Sequence, residues 1–165
     1  MRRLLGLVVL LGLVAGGGGC AATPKTKNYT PAVPRFFLEV QGQTSGDELT
    51  LPKSGVKIIA NAKPVLTETD ITAVELVQVE LGKCLAFQLA PTAARDFYRM
   101  SVVAQGRRLV VSINDTPLGA RRIDGPIADG VIFVFVELAD EILPELVTNL
   151  KATIVDLQRE VKKKG

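Results

Sequence analysis

Residues 71–89, ITAVELVQVELGKCLAFQL, predict a β-hairpin at the centre of the fold. From Ile71 to Leu81 the side chains alternate with a period of two, and the β-branched content favours a strand over a helix. Gly82 and Lys83 can close a tight turn into a second strand over residues 84–89. We therefore expect two antiparallel neighbouring strands here.

Two helices are predicted downstream of this hairpin. Pro91 marks the first turn of a helix that runs to about Ala104, and Gly106 ends it. A longer amphipathic helix is predicted over residues 140–164, with Pro144 in its first turn. Apolar residues recur at helical spacing in both segments, at Ala93, Ala94, Phe97 and Met100 in the first and at Leu143, Leu150, Ile154, Leu157 and Val161 in the second.

Short apolar runs separated by Gly, Pro, Asn and Asp predict the remaining strands. They cover residues 36–40, 49–51, 56–60, 109–113, 118–123 and 131–136, with a turn at 114–117. This order of strands and helices indicates an α+β domain, a mainly antiparallel sheet with two helices packed on one face.

The N-terminus has the three parts of a secretory signal. Arg2 and Arg3 provide positive charge, residues 4–15 are apolar, and four glycines precede Cys20. Twelve helical residues reach only about 18 Å, well short of a hydrocarbon core of about 30 Å. We therefore predict a signal peptide over residues 1–19.

The small residues before Cys20 resemble the lipobox of bacterial lipoproteins. That resemblance implies acyl chains such as palmitate on Cys20 and a lipid anchor in a membrane of the cell envelope. The usual leucine three positions before the cysteine is Gly17 here, and a plain signal peptide cut nearby is the alternative. Ala21 is not the aspartate of an inner-membrane retention signal, which favours the outer membrane, facing the periplasm, in a diderm organism.

The mature chain divides into a flexible tether over residues 20–34 and a folded domain over residues 35–165. Its charge is nearly balanced, because removing Arg2 and Arg3 from the 20 Lys and Arg leaves 18 against 17 Asp and Glu. The basic pI is therefore no evidence for a nucleic-acid partner, and we expect none. The positive charge near the C-terminus suits the end of a helix.

The composition also argues against an enzyme. The chain has no histidine, which removes the usual metal ligand and general base. Cys84 lies in an apolar strand, where free cysteines are commonly inert. The carboxylate pairs Glu68/Asp70 and Asp140/Glu141 are better explained as strand-flanking and helix-capping groups. We expect no catalytic residue, no metal, no cofactor and no small-molecule substrate.

Several segments resemble the first periplasmic head of SecD, a membrane subunit of protein export. These are KPVLTETDI at 63–71, Phe87-Gln88-Leu89 before the first helix with Phe97 inside it, GRRLVV at 106–111, Gly125-Pro126-Ile127 and Gly130. The resemblance spans residues 64–138. It implies a domain that contacts emerging, unfolded polypeptide. The turn at 114–117 replaces the family's usual Asp-Gly, and no functional residue is carried over.

Four arginines form the candidate binding group: Arg107, Arg108, Arg121 and Arg122. Strands on either side of a turn could bring them to one sheet edge, although charge at an edge also protects against aggregation. We therefore expect a non-enzymatic lipoprotein that binds polypeptide or an envelope protein. The alternative is an assembly lipoprotein that associates through its C-terminal helix.

Overall fold

The computed structural model describes residues 28–42 and 45–164. In this part of the chain eight strands and two α-helices follow one another: β1 Pro34–Leu38, β2 Asp47–Thr50, β3 Lys57–Ala60, β4 Ile71–Val79, β5 Gly82–Leu89, α1 Pro91–Val103, β6 Arg108–Ile113, β7 Thr116–Arg122, β8 Val131–Val134 and α2 Leu143–Lys164. The predicted α+β class is confirmed. The predicted signal peptide and Cys20 lie outside the described residues.

All strand pairs are antiparallel, as predicted, but the strands form three sheets. One sheet has the order β1-β6-β7, a second has the order β4-β5-β8, and β2 pairs with β3. The β4–β5 hairpin forms as predicted, but its turn is at Glu80 and Leu81 rather than at Gly82 and Lys83, because Gly82 already pairs with Val79. Its inward side chains, Val74, Leu85 and Phe87, are fully buried. The predicted strand pair is therefore confirmed, although burial does not alternate along β5, where residues 84–87 are all buried.

The two three-stranded sheets enclose one core. Phe36 of β1 meets Phe87 of β5 edge to face, with ring centroids 5.1 Å apart. Such a contact adds about 0.5–1.5 kcal/mol to the burial of the rings. The sheets also touch along their edges, because Gly119 of β7 bridges to Val136 beyond β8, and the Glu137 amide donates to the Leu118 carbonyl at 2.6 Å.

Both helices pack against this core. Phe97 of α1 and Ala104, just after its end, are buried in it, as are Val147, Leu150 and Ile154 of α2. Ser101 also ties α1 to the loop before β8, because its hydroxyl accepts a hydrogen bond from the Ile127 amide at 2.9 Å. The helices thus fix the position of the segment that leads into β8.

The packed part of the chain begins before the predicted boundary at residue 35. Tyr29 donates its hydroxyl hydrogen to the Asp156 carboxylate of α2 at 2.6 Å. The Ala32 amide donates to the Thr153 hydroxyl at 2.9 Å, and Ala32 is buried. The last residues of the predicted tether therefore lie along α2, because their backbone donors find partners there. Residues 20–27 lie outside the described part.

The boundaries of two other elements also differ from those predicted. The turn after β6 contains only Asn114 and Asp115, both with positive φ, which these two residue types tolerate in tight hairpin turns. Strand β7 therefore resumes at Thr116, inside the predicted turn. Helix α2 begins at Leu143 rather than at Asp140.

The β2–β3 hairpin covers the outer face of the first sheet. Leu51 and Ile58 bury themselves against Val110 of β6, forming a second, smaller core. Glu137 holds the loop between the two strands, because its carboxylate accepts hydrogen bonds from the Lys53 and Ser54 amides, both at 2.8 Å. Burial raises the pKa of Glu137, but hydrogen bonds from Ser54 and Lys53 outweigh it and keep the pKa below its ordinary value.

Replacing Gly119 with alanine should destabilise the protein. A Cβ there would meet the Phe135 carbonyl oxygen well inside van der Waals contact, so β7 and the strand end at Val136 would have to separate. We expect a loss of about 1–3 kcal/mol in the free energy of unfolding, measured by urea denaturation. Gly125→Ala is the matched control, because no heavy atom lies within 4 Å of its Cβ position. Equal midpoints for the two variants would contradict this role of Gly119.

Candidate functional site

The structure places the four candidate arginines in different settings. Arg108 lies opposite Arg122 across the β6–β7 pair, and Arg121 lies opposite Leu109. Because neighbouring residues on a strand point to opposite faces, Arg121 and Arg122 lie on opposite faces of β7. The strands therefore do not gather the four guanidinium groups on one surface.

Glu39 holds two of these arginines. Its carboxylate accepts hydrogen bonds from the Arg108 side chain, with Nε 3.0 Å from Oε1, and from the Arg108 amide at 2.8 Å. The Nη2 atom of Arg108 also contacts Oε1. The Glu39 carbonyl accepts a hydrogen bond from Arg107 Nε at 2.6 Å. Arg107 and Arg108 therefore stabilise the junction between β1 and β6.

The two arginines of β7 differ in exposure, because Arg122 is exposed and Arg121 is half-buried. Arg122 faces Asp124 at 3.5 Å, and both side chains are mostly exposed, so this ion pair contributes little to stability. Arg121 donates one hydrogen bond, at 3.4 Å, to the Phe133 carbonyl of β8. Of the four predicted residues, Arg121 is the one that lies beside an exposed apolar surface.

That surface is the outer face of the second sheet. Glu75, Ala86 and Phe133 lie side by side across β4, β5 and β8. Phe133 is 39% exposed, and Phe135, just beyond β8, is 41% exposed. Ile132 and Val134, which alternate with them, are buried in the core. Two large aromatic side chains are therefore exposed on one side of the sheet.

Strand β8 is also an outer strand of its sheet. It pairs with β5 on one side, and the bridge to β7 forms only after β8 has ended, at Val136. Between the diverging strands lies a cleft of about 340 Å³, which we call the β8 cleft, lined by Arg121, Asp129, Val131, Phe133 and residues 126–128. Within the described residues, no strand covers this edge of β8.

The combination of groups in the β8 cleft suits an extended polypeptide. A strand edge that no other strand covers offers backbone donors and acceptors to an added strand. At this edge the Val131 amide donates to Asp129 at 3.0 Å and the Phe133 carbonyl accepts from Arg121, so an added strand would replace these two side-chain contacts. Phe133 adds an apolar contact, and Arg121 adds guanidinium donors for a carbonyl or carboxylate. The cleft can therefore recognise backbone, apolar side chains and negative charge together.

Cys84 lies two residues before Ala86 on β5 and therefore belongs to the same face of the sheet. It is opposite Val77 in the β4–β5 pair and is 1% exposed. Burial raises the pKa of the Cys84 thiol, and the charge of Arg121 offsets part of that rise. A protonated, buried thiol is a poor nucleophile, so the geometry disfavours chemistry at Cys84.

The carboxylate pairs have structural partners. Glu68 pairs with Arg35 at 3.3 Å, and Asp70 accepts hydrogen bonds from the Thr67 amide and hydroxyl. Asp140 pairs with Lys83 at 3.3 Å. In the described ranges, no three cysteine, aspartate or glutamate side chains lie close enough together to hold a metal ion.

The apolar stripe of α2 is buried from Leu143 to Ile154, whereas Leu157 is half-buried and Val161 is exposed. Leu150, which the assembly hypothesis would place at an interface, is fully buried, and so is Ile154. Self-association through this stripe would require it to leave the core. Neither helix in the described part of the chain has the length and apolarity of a membrane span.

No protein-family model matches the sequence. No curated protein matches it either. Similarity appears among solved structures, beginning with a SecDF structure described as a membrane component that enhances protein export. That structure matches with a TM-score of 0.58 and 19% identity over 74% of this chain. The described domain has a SecDF-like fold.

Two further SecDF structures agree. SecDF in its super-membrane-facing form matches with a TM-score of 0.57 and 18% identity over 73% of this chain. SecDF from Thermus thermophilus, described as a translocon-associated membrane protein, matches with a TM-score of 0.51 and 17% identity over 76% of it. The fold predicted by the SecD resemblance is therefore confirmed.

The chain covers only part of each SecDF protein. It spans 63% of the first structure, 19% of the second and 20% of the third. The similarity therefore concerns a segment of SecDF.

Sequence analysis missed two features of the site. The sequence places Glu39 in a strand but does not indicate its ion pair, because its partner Arg108 is distant along the chain. Phe133 and Phe135 were read as part of a continuous apolar strand. The alternation of Phe with Ile132 and Val134 was a usable signal, since aromatic residues at every second position define one face.

Neutralising Glu39 should reduce the acid sensitivity of the protein. The hydrogen bond from Arg108 lowers the pKa of Glu39 from 4.5, outweighing the opposing effect of burial. The Glu39–Arg108 pair thus contributes stability that is fully present above pH 4.5, the ordinary pKa of a glutamate. This contribution is lost as the pH falls through the lower pKa of Glu39 in the folded protein. Glu39→Gln should lose stability above that pH and show a flatter decline below it, measured by urea denaturation across pH.

Glu80→Gln is the control for this measurement, because Glu80 lies in the exposed turn between β4 and β5. It should retain the acid-dependent decline of the unaltered protein. A Glu39→Gln profile parallel to that of the unaltered protein throughout would show that the Glu39–Arg108 pair does not contribute to the pH dependence.

Proposed function

We propose that this protein is an exported, lipid-anchored, non-enzymatic lipoprotein whose SecDF-like domain binds polypeptide. The observation that carries the proposal is the β8 cleft, in which Arg121 and Phe133 flank an uncovered strand edge. The SecDF proteins are described as translocon-associated and as enhancing protein export, which makes a polypeptide the partner of choice.

The anchor is supported by the N-terminal sequence. Arg2, Arg3, the apolar run at 4–15 and the glycines before Cys20 form a lipoprotein signal, with cleavage before Cys20 and lipid on its thiol. Acyl chains on this residue would hold the domain at a membrane of the cell envelope. In a diderm organism we propose the outer membrane, facing the periplasm.

The binding mode follows from the chemistry of the cleft. An extended segment of the partner adds to the edge of β8 through backbone hydrogen bonds. Phe133 and Phe135 contact its apolar side chains, and Arg121 binds a carbonyl or an acidic side chain. Backbone recognition tolerates many sequences, which suits unfolded chains or the extended segments of an envelope protein.

A non-enzymatic role is part of the proposal. It is supported by the absence of histidine from the sequence and by the burial of Cys84. Assembly through α2 is not favoured, because Leu150 and Ile154 are buried in the core of the domain.

Polar substitution of the exposed aromatics should weaken polypeptide binding. The immobilised protein is offered a reduced, carboxymethylated polypeptide that cannot refold, and binding is measured by surface plasmon resonance. The double variant Phe133→Thr/Phe135→Thr should bind at least about tenfold more weakly, since anchoring aromatics each contribute more than about 1 kcal/mol. Threonine preserves the strand propensity.

Ile59→Thr is the matched control, because Ile59 is 40% exposed on β3, in the β2–β3 hairpin rather than in the sheet that contains β8. It should bind as tightly as the unaltered protein. Failure of the unaltered protein to bind, or equal weakening in both variants with unchanged unfolding curves, would refute polypeptide binding at this surface.

A further inference from the structure

The chain enters the domain along α2. Tyr29 is hydrogen-bonded to Asp156, and the Thr30 amide donates to Asn149 Oδ1 at 3.2 Å. Asp156 lies about two turns before the last residues of α2, which is roughly 10 Å along the helix. Tyr29, to which the chain from Cys20 leads, therefore lies close to the C-terminal end of α2.

Chain length limits how far this point lies from Cys20. The nine residues from Cys20 to Tyr29 span at most about 32 Å, whatever their conformation. Lipid on Cys20 would therefore keep the Tyr29 backbone within about 32 Å of the bilayer surface, and the end of α2 lies roughly 10 Å beyond the Asp156 that Tyr29 contacts.

The end of α2 is basic. Arg159, Lys162 and Lys163 are all exposed and stand against one carboxylate, Glu160, over residues 159–163. We call the three cations the basic helix end. Asp156 accepts a hydrogen bond from Tyr29 and pairs with Arg159 at 3.7 Å, so Lys162 and Lys163 carry most of the excess positive charge. Val161, between the cations, is 57% exposed and offers an apolar contact at the lipid interface.

The packing of α2 on β4 determines which part of the domain lies farthest from the basic helix end. Gln158 donates to the Ile71 and Thr72 carbonyls at the start of β4, and Lys151 pairs with Glu75 at 2.7 Å. The helix thus runs antiparallel to β4. The turn between β4 and β5, with Leu81, lies about 30 Å from the basic helix end, given nine residues at about 3.3 Å each.

We propose that the basic helix end docks on the anionic phospholipid headgroups of the bilayer that holds the lipid of Cys20. This inference rests on the proposed lipid anchor. Charge complementarity favours this end of α2 at the surface, and the short chain from Cys20 to Tyr29 keeps it within reach. The docked domain points its β4–β5 turn away from the membrane. Cations also suit a helix C-terminus in solution, but that effect does not depend on lipid charge.

Hydrogen exchange of the lipoprotein on vesicles tests this orientation. The full chain is expressed with its signal, purified from membranes and reconstituted in phosphatidylcholine vesicles, with or without about one third phosphatidylglycerol. On anionic vesicles the amides of residues 155–163 should exchange at least about fivefold more slowly than on neutral ones, since one lysine near an anionic surface favours docking by about that factor. Exchange in the β4–β5 turn should be equal on both.

Charge variants identify the residues responsible. Lys162→Gln/Lys163→Gln should remove most of the difference between the two vesicle types. Lys53→Gln/Lys57→Gln is the matched control, because these exposed lysines lie at the β2–β3 hairpin, remote from α2. It should retain the full difference. Equal exchange on both vesicle types, or a difference that survives Lys162→Gln/Lys163→Gln, would overturn the docking proposal while leaving the anchor intact.

Flotation of the same preparations separates the two proposals. The unaltered protein should float with vesicles of either composition, and Cys20→Ala should remain in the soluble fraction. An unaltered protein that does not float would refute the lipid anchor, and with it the docking proposal.

Discussion

The edge-to-face contact between Phe36 and Phe87 joins strands of two different sheets, and the rest of the fold is arranged around it. Both rings are fully buried. Strands β1 and β5 face each other across this contact. The edges of the two sheets meet where β7 approaches the chain beyond β8, at the bridge between Gly119 and Val136. Gly119 permits that approach, since any side chain there would collide with the Phe135 carbonyl. The helices then cover the core and fix the loop that leads into β8.

This closure is incomplete, and the incompleteness creates the candidate site. The bridge between the sheets forms at Val136, whereas β8 itself diverges from β7 and leaves an uncovered edge. The alternation that buries Ile132 and Val134 exposes Phe133 and Phe135. The same alternation of side chains therefore places two residues in the core and two at the candidate site. Arg121 lies across the cleft because β7 continues past the bridge.

Local patterns predicted the elements, and contacts distant in sequence decided the site. The hairpin at 71–89 was predictable because its period-two alternation and its turn lie in one short segment. Helix α1 was predictable because Pro91 and the apolar spacing identify its start and its buried face. The Glu39–Arg108 pair was not, because it joins residues far apart in the chain. The division into three sheets depends in the same way on long-range pairing, and grouping the four arginines failed because β7 places Arg121 and Arg122 on opposite faces.

Backbone recognition at β8 is the central claim, and ¹⁵N NMR spectroscopy of the chain tests it most directly. A peptide without stable structure, containing alternating apolar residues, is titrated into the protein. Amide signals of Val131, Phe133 and Arg121 should shift first and together, and their exchange with solvent should slow, because an added strand pairs with the edge of β8. Signals of the β2–β3 hairpin should remain in place. Shifts concentrated on α1 or α2, with β8 unaffected, would contradict the claim.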